Sequence, residues 1–432
     1  MMMFYILFVL YNGIFIPLFY SAIRIAAIFN PKVRLGLSGR RMLFATLAEK
    51  LNRLPAAKPR IWIHISSLGE FEQAKPVIRS IRTEIPDAQI VLSFFSPSGF
   101  IPAQKYAAAD LITYLPLDSW RQARKFIQLV KPRLHLIIRH DIWPNLQWRL
   151  QREKIPSFLV DASLTPRSLR ALRCSRIFLK SIYSTFTEIH VTDADNGAHF
   201  RRIFPHEQKI YVSGDTRFDQ VCERALESGK IDSLQKSGFF RRDACFVAGS
   251  TWPSDEKVIL APLIDALKAH SDFNLIIAPH ETTEEHLLSI ETLLRDHRIP
   301  WVRLSSFDAR MKNFQVLLID RIGLLANLYA LGKMAYVGGG FGPGVHNVLE
   351  PAAHTCAVLF GPRHLNSLEA MALDKRGGGE AITVAEQLRH QLVLLLEHPQ
   401  RVEEMGRKAR EMVEENVGAS QRIVERIKME LQ

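Results

Sequence analysis

Ile61-Trp62-Ile63-His64-Ile65-Ser66-Ser67-Leu68-Gly69-Glu70 is an apolar run that ends in small polar residues and a glycine. Such a run, β-branched at alternate positions, predicts a strand buried on both faces. Ser66, Ser67 and Gly69 allow a sharp turn, and Glu70 leads into Glu72–Arg82, which has helical spacing. Strand, tight turn and amphipathic helix together make the first half of a βαβ unit.

The same alternation continues downstream. Gln89–Phe95, Leu111–Leu115, Leu134–Ile138, Ser157–Val160, Glu188–Val191 and Lys209–Val212 read as further buried strands, with helical segments such as Arg121–Val130 and Asn145–Arg152 among them. The pattern then restarts with Cys245–Ala248, Asn274–Ala278, Gln315–Ile319, Met334–Val337 and Ala357–Phe360. Val221 to Arg242 is polar with weak periodicity and reads as a linker. The expected architecture is α/β, two doubly wound Rossmann-like domains facing a cleft. The expected division is an anchor at 1–30, a first domain at 31–220 and a second domain at 221–432. In open parallel sheets ligands bind beyond the carboxyl ends of the strands, so residues that follow strands are the candidates.

The chain has 432 residues, 47% hydrophobic and 23% charged, which excludes a disordered tail, a fibrous repeat and a disulfide miniprotein. Its four cysteines, Cys174, Cys222, Cys245 and Cys356, lie far apart, which argues against a zinc ribbon and suits a reducing compartment. The net charge of +12 is concentrated: residues 1–60 hold nine Lys/Arg and one acid, Glu49. A nucleic-acid enzyme spreads basic residues over a domain face, so no nucleic-acid partner is expected.

Met1 to Ile23 carries no charged side chain. About 20 apolar residues span a bilayer core. The basic residues follow the run, which disfavours a secretory signal and puts the cluster from Arg24 onward on the cytoplasmic side, against anionic headgroups. Pro17 and Asn12 leave open an anchor that lies in the membrane surface, and a buried core helix is the alternative. The strand sets downstream do not need the anchor for a core.

Glu70 is a candidate general base, or else an acid favoured by the start of its helix. Val337-Gly338-Gly339-Gly340-Phe341-Gly342-Pro343-Gly344-Val345-His346-Asn347-Val348-Leu349-Glu350-Pro351 reads as a strand, a glycine loop that can approach a phosphate, and a helix from about Asn347. It matches neither the dinucleotide nor the P-loop fingerprint. Glu350 could accept ribose hydroxyls or be an ordinary first-turn acid. Ser250 and Thr251 follow one strand, and Pro279 and His280 another; His280 could meet an anion or be structural. Gly214-Asp215-Thr216-Arg217-Phe218-Asp219 puts a cation at the domain junction. Asp193-Ala194-Asp195 reads as a helix cap rather than a metal–nucleotide site.

Together these segments resemble the 3-deoxy-D-manno-octulosonic acid (Kdo) transferases of lipopolysaccharide assembly. The resemblance runs over nearly the whole chain. It rests on the anchor with its basic collar, His64-x-x-Ser67-x-Gly69-Glu70, Trp143-Pro144-Asn145, Gly214-Asp215-x-Arg217-Phe218-Asp219, Gly249-Ser250-Thr251 and Gly344-x-His346-Asn347-x-Leu349-Glu350-Pro351. It implies a GT-B fold and an inverting, metal-independent transfer of Kdo from CMP-Kdo to a tetraacylated lipid A precursor (lipid IVA), with no cofactor. It implies the cytoplasmic face of the cell inner membrane. The family's base falls on Glu70 and its cationic position, usually Lys, on Arg217. The CMP positions fall on Ser250, Thr251, Pro279, His280, Ile322, Gly323, Leu324, Asn347, Val348, Leu349 and Glu350. Two departures stand out. An arginine expected beside His280 is missing, and Arg139-His140-Asp141 replaces Glu-Thr-Glu, leaving Asp141 as the acid before Trp143 that could stabilise positive charge on the sugar.

A GT-B enzyme that uses a UDP-sugar and a membrane lipid is the rival enzyme reading. An anchored scaffold without catalysis is the non-enzyme reading, against which the retained Glu70 and Arg217 argue.

Overall fold

The computed structural model describes residues 2–164, 177–202, 209–227 and 229–432, so Cys174 lies outside the described residues. The chain divides into two compact units: one runs to Gln220 and includes Gly418–Gln432, and the other is Val221–Val417.

The described residues of the first unit hold seven strands: β1 Arg60–Ile65, β2 Gln89–Phe94, β3 Leu111–Tyr114, β4 Leu134–Ile138, β5 Ser157–Ala162, β6 Glu188–Val191 and β7 Ile210–Val212. They form one sheet in the order β3-β2-β1-β4-β5-β6-β7, every ladder parallel. Successive side chains of β1 point to opposite faces. Ile61, Ile63 and Ile65 pack with Val77, Ile78 and Ile81 of the helix Leu68–Glu84. Trp62 packs on the other face with Leu47, Phe126 and Ile127. Both faces are covered, which is why the strands read as unbroken apolar runs.

The second unit repeats the plan with β8 Cys245–Thr251, β9 Asn274–Pro279, β10 Trp301–Arg303, β11 Val316–Leu318, β12 Met334–Val337, β13 Ala357–Phe360 and β14 Gly379–Ala381. The order is β10-β11-β9-β8-β12-β13-β14, again all parallel. The expected fold class, two doubly wound parallel sheets, is what the chain adopts. In each sheet the winding reverses beside the first strand, between β1 and β4 and between β8 and β12. These are the switch points where open sheets bind ligands.

Three expectations need correction. β10 and β14 were not read from the sequence. The segment 221–242 is not simply a linker: the helix Thr216–Leu226 runs into it and the helix Asp232–Lys236 lies within it. The helix Ala419–Leu431, assigned above to the second domain, belongs to the first unit, where Ile423, Val424 and Ile427 complete the core on β1. It is held by Asp219, whose carboxylate accepts from the backbone N–H groups of Gly418 (2.5 Å) and Ser420 (2.6 Å). A carboxylate at a helix N-terminus meets unsatisfied donors and the positive end of the dipole.

Among the described residues one helix, Tyr5–Phe29, is long and apolar enough to cross a membrane, by length and composition. It contains a widened π turn at Tyr11–Phe15. One side of it is joined to the first unit by hydrogen bonds. The Tyr11 hydroxyl donates to Asp118 Oδ2 (2.9 Å), and Asn12 and Asn145 exchange two amide bonds of 2.9 Å. Asn145 is the last residue of the Trp143-Pro144-Asn145 motif, which therefore receives the apolar helix.

Candidate functional site

The carboxyl ends of β1 and β4 are neighbours at the switch point, and each is followed by an acid read from the sequence. After β1, Ser67 caps the helix, its Oγ accepting from Glu70 N (3.4 Å), while Glu70 Oε2 accepts from Ser66 N (2.6 Å). This reciprocal pair fixes Glu70 at the first turn with its carboxylate folded back over the strand end. Burial pushes the Glu70 carboxyl above the usual range; the Ser66 N–H opposes this, the Asp141 charge adds to it, and His64 and Arg139 lower it. A half-buried carboxyl with a raised pKa beside a second acid suits a general base.

After β4, Asp141 Oδ2 is 2.8 Å from Nε2 of the buried His64. Arg139, the first residue past β4, has left-handed backbone (φ 66°), and its Nε is buried without a hydrogen-bond partner among the described residues. Asp161 in β5 has φ 54° and is also buried; its carboxylate accepts from Thr216 N (3.0 Å) and from the Thr216 hydroxyl. Burial, then the neighbouring Asp215, push the Asp161 carboxyl up. Non-glycine residues in this region carry strain that surrounding structure must hold, and such residues gather at functional sites. Arg217 is engaged locally: its Nε and Nη2 donate to Asp215 Oδ2 at 2.9 and 2.6 Å. Asp193 caps its helix, its Oδ1 accepting from Asn196 N (2.7 Å).

In the second unit, Ser250 is another left-handed residue (φ 53°), at the end of β8. Thr251 is fully buried and donates its hydroxyl to Glu256 Oε1 (2.7 Å), so its side chain points into the protein. Pro279 ends β9 and is buried, and His280 beyond it is exposed. Ile322 is 86% exposed in the loop after β11, and Gly323 turns that loop with φ 94° before Leu324.

The glycine loop departs from expectation. A Cβ on Gly338 would lie 2.1 Å from Ser250 O, and one on Gly340 2.5 Å from Gly361 Cα. These glycines let backbone pack on backbone. The N–H groups of Gly339 (2.8 Å) and Phe341 (3.1 Å) donate to the buried Asp255, which also accepts from Tyr336 Oη and Trp252 N (both 2.9 Å). The helix begins at Leu349, two residues past Asn347 and close to the expected start. Val348 and Leu349 are each 1% exposed, so only their backbones could face a ligand. Asn347 is exposed, and Glu350 is paired with Arg224 (3.1 Å).

Three rings meet where β8, β9 and β12 end. Trp252 and His346 are nearly coplanar (9°), joined by the indole N–H donating to His346 Nε2 (2.8 Å). His280 lies over both, with ring centroids 4.6 Å from Trp252 and 4.4 Å from His346. Accepting at Nε2 requires a neutral His346 that carries its proton on Nδ1. Burial, then the nearby His280, push its pKa down accordingly.

His64, Asp161, Trp252 and Asp255 were not assigned roles from the sequence. His64 and Trp252 sit inside or beside the motifs read there. Asp255 lies in the first turn of the helix Pro253–Ala269, and only the tertiary structure brings the glycine loop to it.

Residues 41–220 match the family described as 3-Deoxy-D-manno-octulosonic-acid transferase (kdotransferase). The chain is 28% identical over 374 residues to a 3-deoxy-D-manno-octulosonic acid transferase from Haemophilus influenzae, covering 85% of this chain and 86% of that protein. It is 27% identical to a protein of the same description from Aquifex aeolicus, covering 79% and 88%. Among solved structures it is similar in fold to a UDP-GlcNAc 2-epimerase from Neisseria meningitidis, with TM-score 0.61, 14% identity and coverage of 86% and 100%. The resemblance read from the motifs is borne out: the chain is similar to the Kdo transferases over most of its length, and residues 41–220 match their family.

Proposed function

We propose, from that kinship, that the chain is a glycosyltransferase that moves Kdo from CMP-Kdo to a lipid A precursor on the cytoplasmic face of a membrane. The observation that carries the reading is the pair of acids at the β1/β4 switch point, Glu70 on its capped turn and Asp141 on His64. Glu70 takes the proton from an acceptor hydroxyl as its oxygen bonds to the anomeric carbon. The bond from that carbon to the phosphate oxygen breaks, and CMP leaves as an anion. Attack opposite the leaving group inverts the centre. Asp141 offsets the positive charge that develops on the sugar. Arg217 meets donor anions, which requires it to share or leave Asp215 when donor binds. On the donor side, the His280 plateau, Ser250, the 322–324 loop and the exposed Asn347 receive CMP.

CMP is a good leaving group as an anion, so the chemistry does not call for a metal. The apolar helix with its basic collar supports a membrane acceptor. The test is incubation of the membrane-bound protein with CMP-Kdo and tetraacylated lipid A precursor, with products weighed by mass spectrometry. A mass gain of whole Kdo units supports the reading. Thermal protection by UDP rather than CMP would favour the rival donor.

A further inference from the structure

In the first unit, a cavity of 570 Å³ runs between the apolar helix and the segment that carries Asp141. Leu10 and Phe15 of that helix form one wall, and Leu179 and Ile182 of the helical stretch 177–183 form another. His140 and Asp141 lie at its polar end. We propose that this groove holds an acyl chain of the lipid acceptor and presents its polar head to Asp141, so that the apolar helix is a wall of the acceptor site as well as an anchor. The proposal rests on the lipid-acceptor reading above.

Four observations carry it. The lining is hydrocarbon and aromatic except at the end that bears Asp141, which matches an amphiphile and not a sugar or nucleotide. The volume lies within the roughly 300–1,000 Å³ of small-molecule sites. The apolar surface is continuous with the outside: Val9 and Leu18 of the same helix are 62% and 65% exposed. A chain can therefore pass from bilayer to groove without crossing water. Finally, the helix is held in place as a wall by Tyr11 on Asp118 and Asn12 on Asn145. These bonds come from its middle, so that side cannot face lipid, and the helix lies along the membrane surface with its opposite side inward.

The test uses the full chain in phospholipid nanodiscs with acceptors of graded acyl length. Wild-type kcat/KM for acceptor should rise with acyl length until the groove is full, then level off. Leu179→Trp and, separately, Leu10→Trp should bring the plateau to shorter chains with KM for CMP-Kdo unchanged. An unaltered chain-length profile in both variants overturns the proposal. A second readout needs no turnover: a long-chain lipid with a terminal diazirine should photolabel residues 177–183 and lose that label in Leu10→Trp. Label confined to outward residues such as Val9 and Leu18 overturns it. Groove labelling without Kdo transfer would keep the groove and remove the transfer reading; transfer without groove labelling would do the reverse.

Discussion

His64 Nε2 lies 2.8 Å from Asp141 Oδ2, and the other side of the ring is tied to Ser93, with Nδ1 3.0 Å from Oγ. Trp62 Nε1 donates to that same Oγ at 2.7 Å. The backbone carbonyl of Ser93 also lies 3.1 Å from Nδ1, so both Ser93 oxygens brace that side of the ring. A buried chain of hydrogen bonds from Trp62 through Ser93 and His64 thus aims the carboxylate. Hydrogen bonds behind a reactive group set its orientation in this way in metal sites too.

Asp141→Asn should lower kcat strongly with little change in KM for CMP-Kdo, because its interaction is made mainly in the transition state. Asp141→Glu should keep substantial activity. His64→Ala should lower kcat in the same pattern but less, since it acts by positioning Asp141. Steady-state kinetics decide it, and normal turnover in Asp141→Asn makes this carboxylate structural.

Glu70→Gln should reduce transfer about 10²–10⁴-fold, the usual worth of a general base, while CMP still raises the melting temperature. Because burial raises the Glu70 carboxyl, its base form is lost on acidification earlier than for a free glutamate. The acid limb of kcat/KM should therefore lie above about pH 4.3, the ordinary glutamate value. A limb at or below that value would count against Glu70 as the base.

Asp118 is buried and accepts from Asn145 N, Leu146 N and the Tyr11 hydroxyl; burial nonetheless pushes its carboxyl up to about 7. Folded Asp118 therefore holds a proton that an unfolded aspartate releases near about 3.9. Stability should fall as pH rises between these values, and Asp118→Asn should flatten that slope. Tyr11→Phe should cost about 0.5–1.5 kcal/mol, the net worth of a typical hydrogen bond. Deleting residues 1–23 should lower the melting temperature further, since it also uncovers the buried Trp148 and Ile182. Equal melting of the truncated and full chains would mean the helix is only an anchor.

Asp255→Ala removes the acceptor for Gly339 N, Phe341 N, Trp252 N and Tyr336 Oη at once. Each buried donor left unmet costs about 1–3 kcal/mol. We expect a large loss of stability, and weaker CMP binding in the protein that remains folded, read by calorimetry.

Transfer should persist in EDTA. Asp193 is used as a cap, and among the described residues no group of three or more His, Cys, Asp or Glu is arranged to hold an ion. Loss of activity restored by Mg²⁺ or Mn²⁺ would return Asp193-Ala194-Asp195 to consideration.

The long inner strands were legible because burial on both faces leaves an apolar run, and β4, β6, β12 and β13 have the expected bounds. β10 and β14 were not, because each is a three-residue edge strand with little to bury: Trp301, Val302 and Arg303 are all only partly covered. Glu70 and Asp141 could be found because each follows a readable strand. The plateau at His280 was half legible: His280 and His346 were quoted, but Trp252 joins them through sheet adjacency that local spacing does not express. The glycine loop misled because glycine permits close approach without saying to what; here the partners are Ser250 and Gly361.

The return of the helix Ala419–Leu431 to the first unit has a consequence for biosynthesis. Val221–Val417 is continuous in the chain, so on the ribosome it can fold as soon as it emerges. The first unit cannot finish then: β1 waits for Ile423, Val424 and Ile427, which are translated after the whole second unit. Domains generally fold as units during synthesis. Here the earlier-made unit must remain unfinished, with apolar surface uncovered, until Asp219 captures Gly418 and Ser420. A nascent chain stalled just before residue 418 should therefore be the most chaperone-dependent species in the life of this protein.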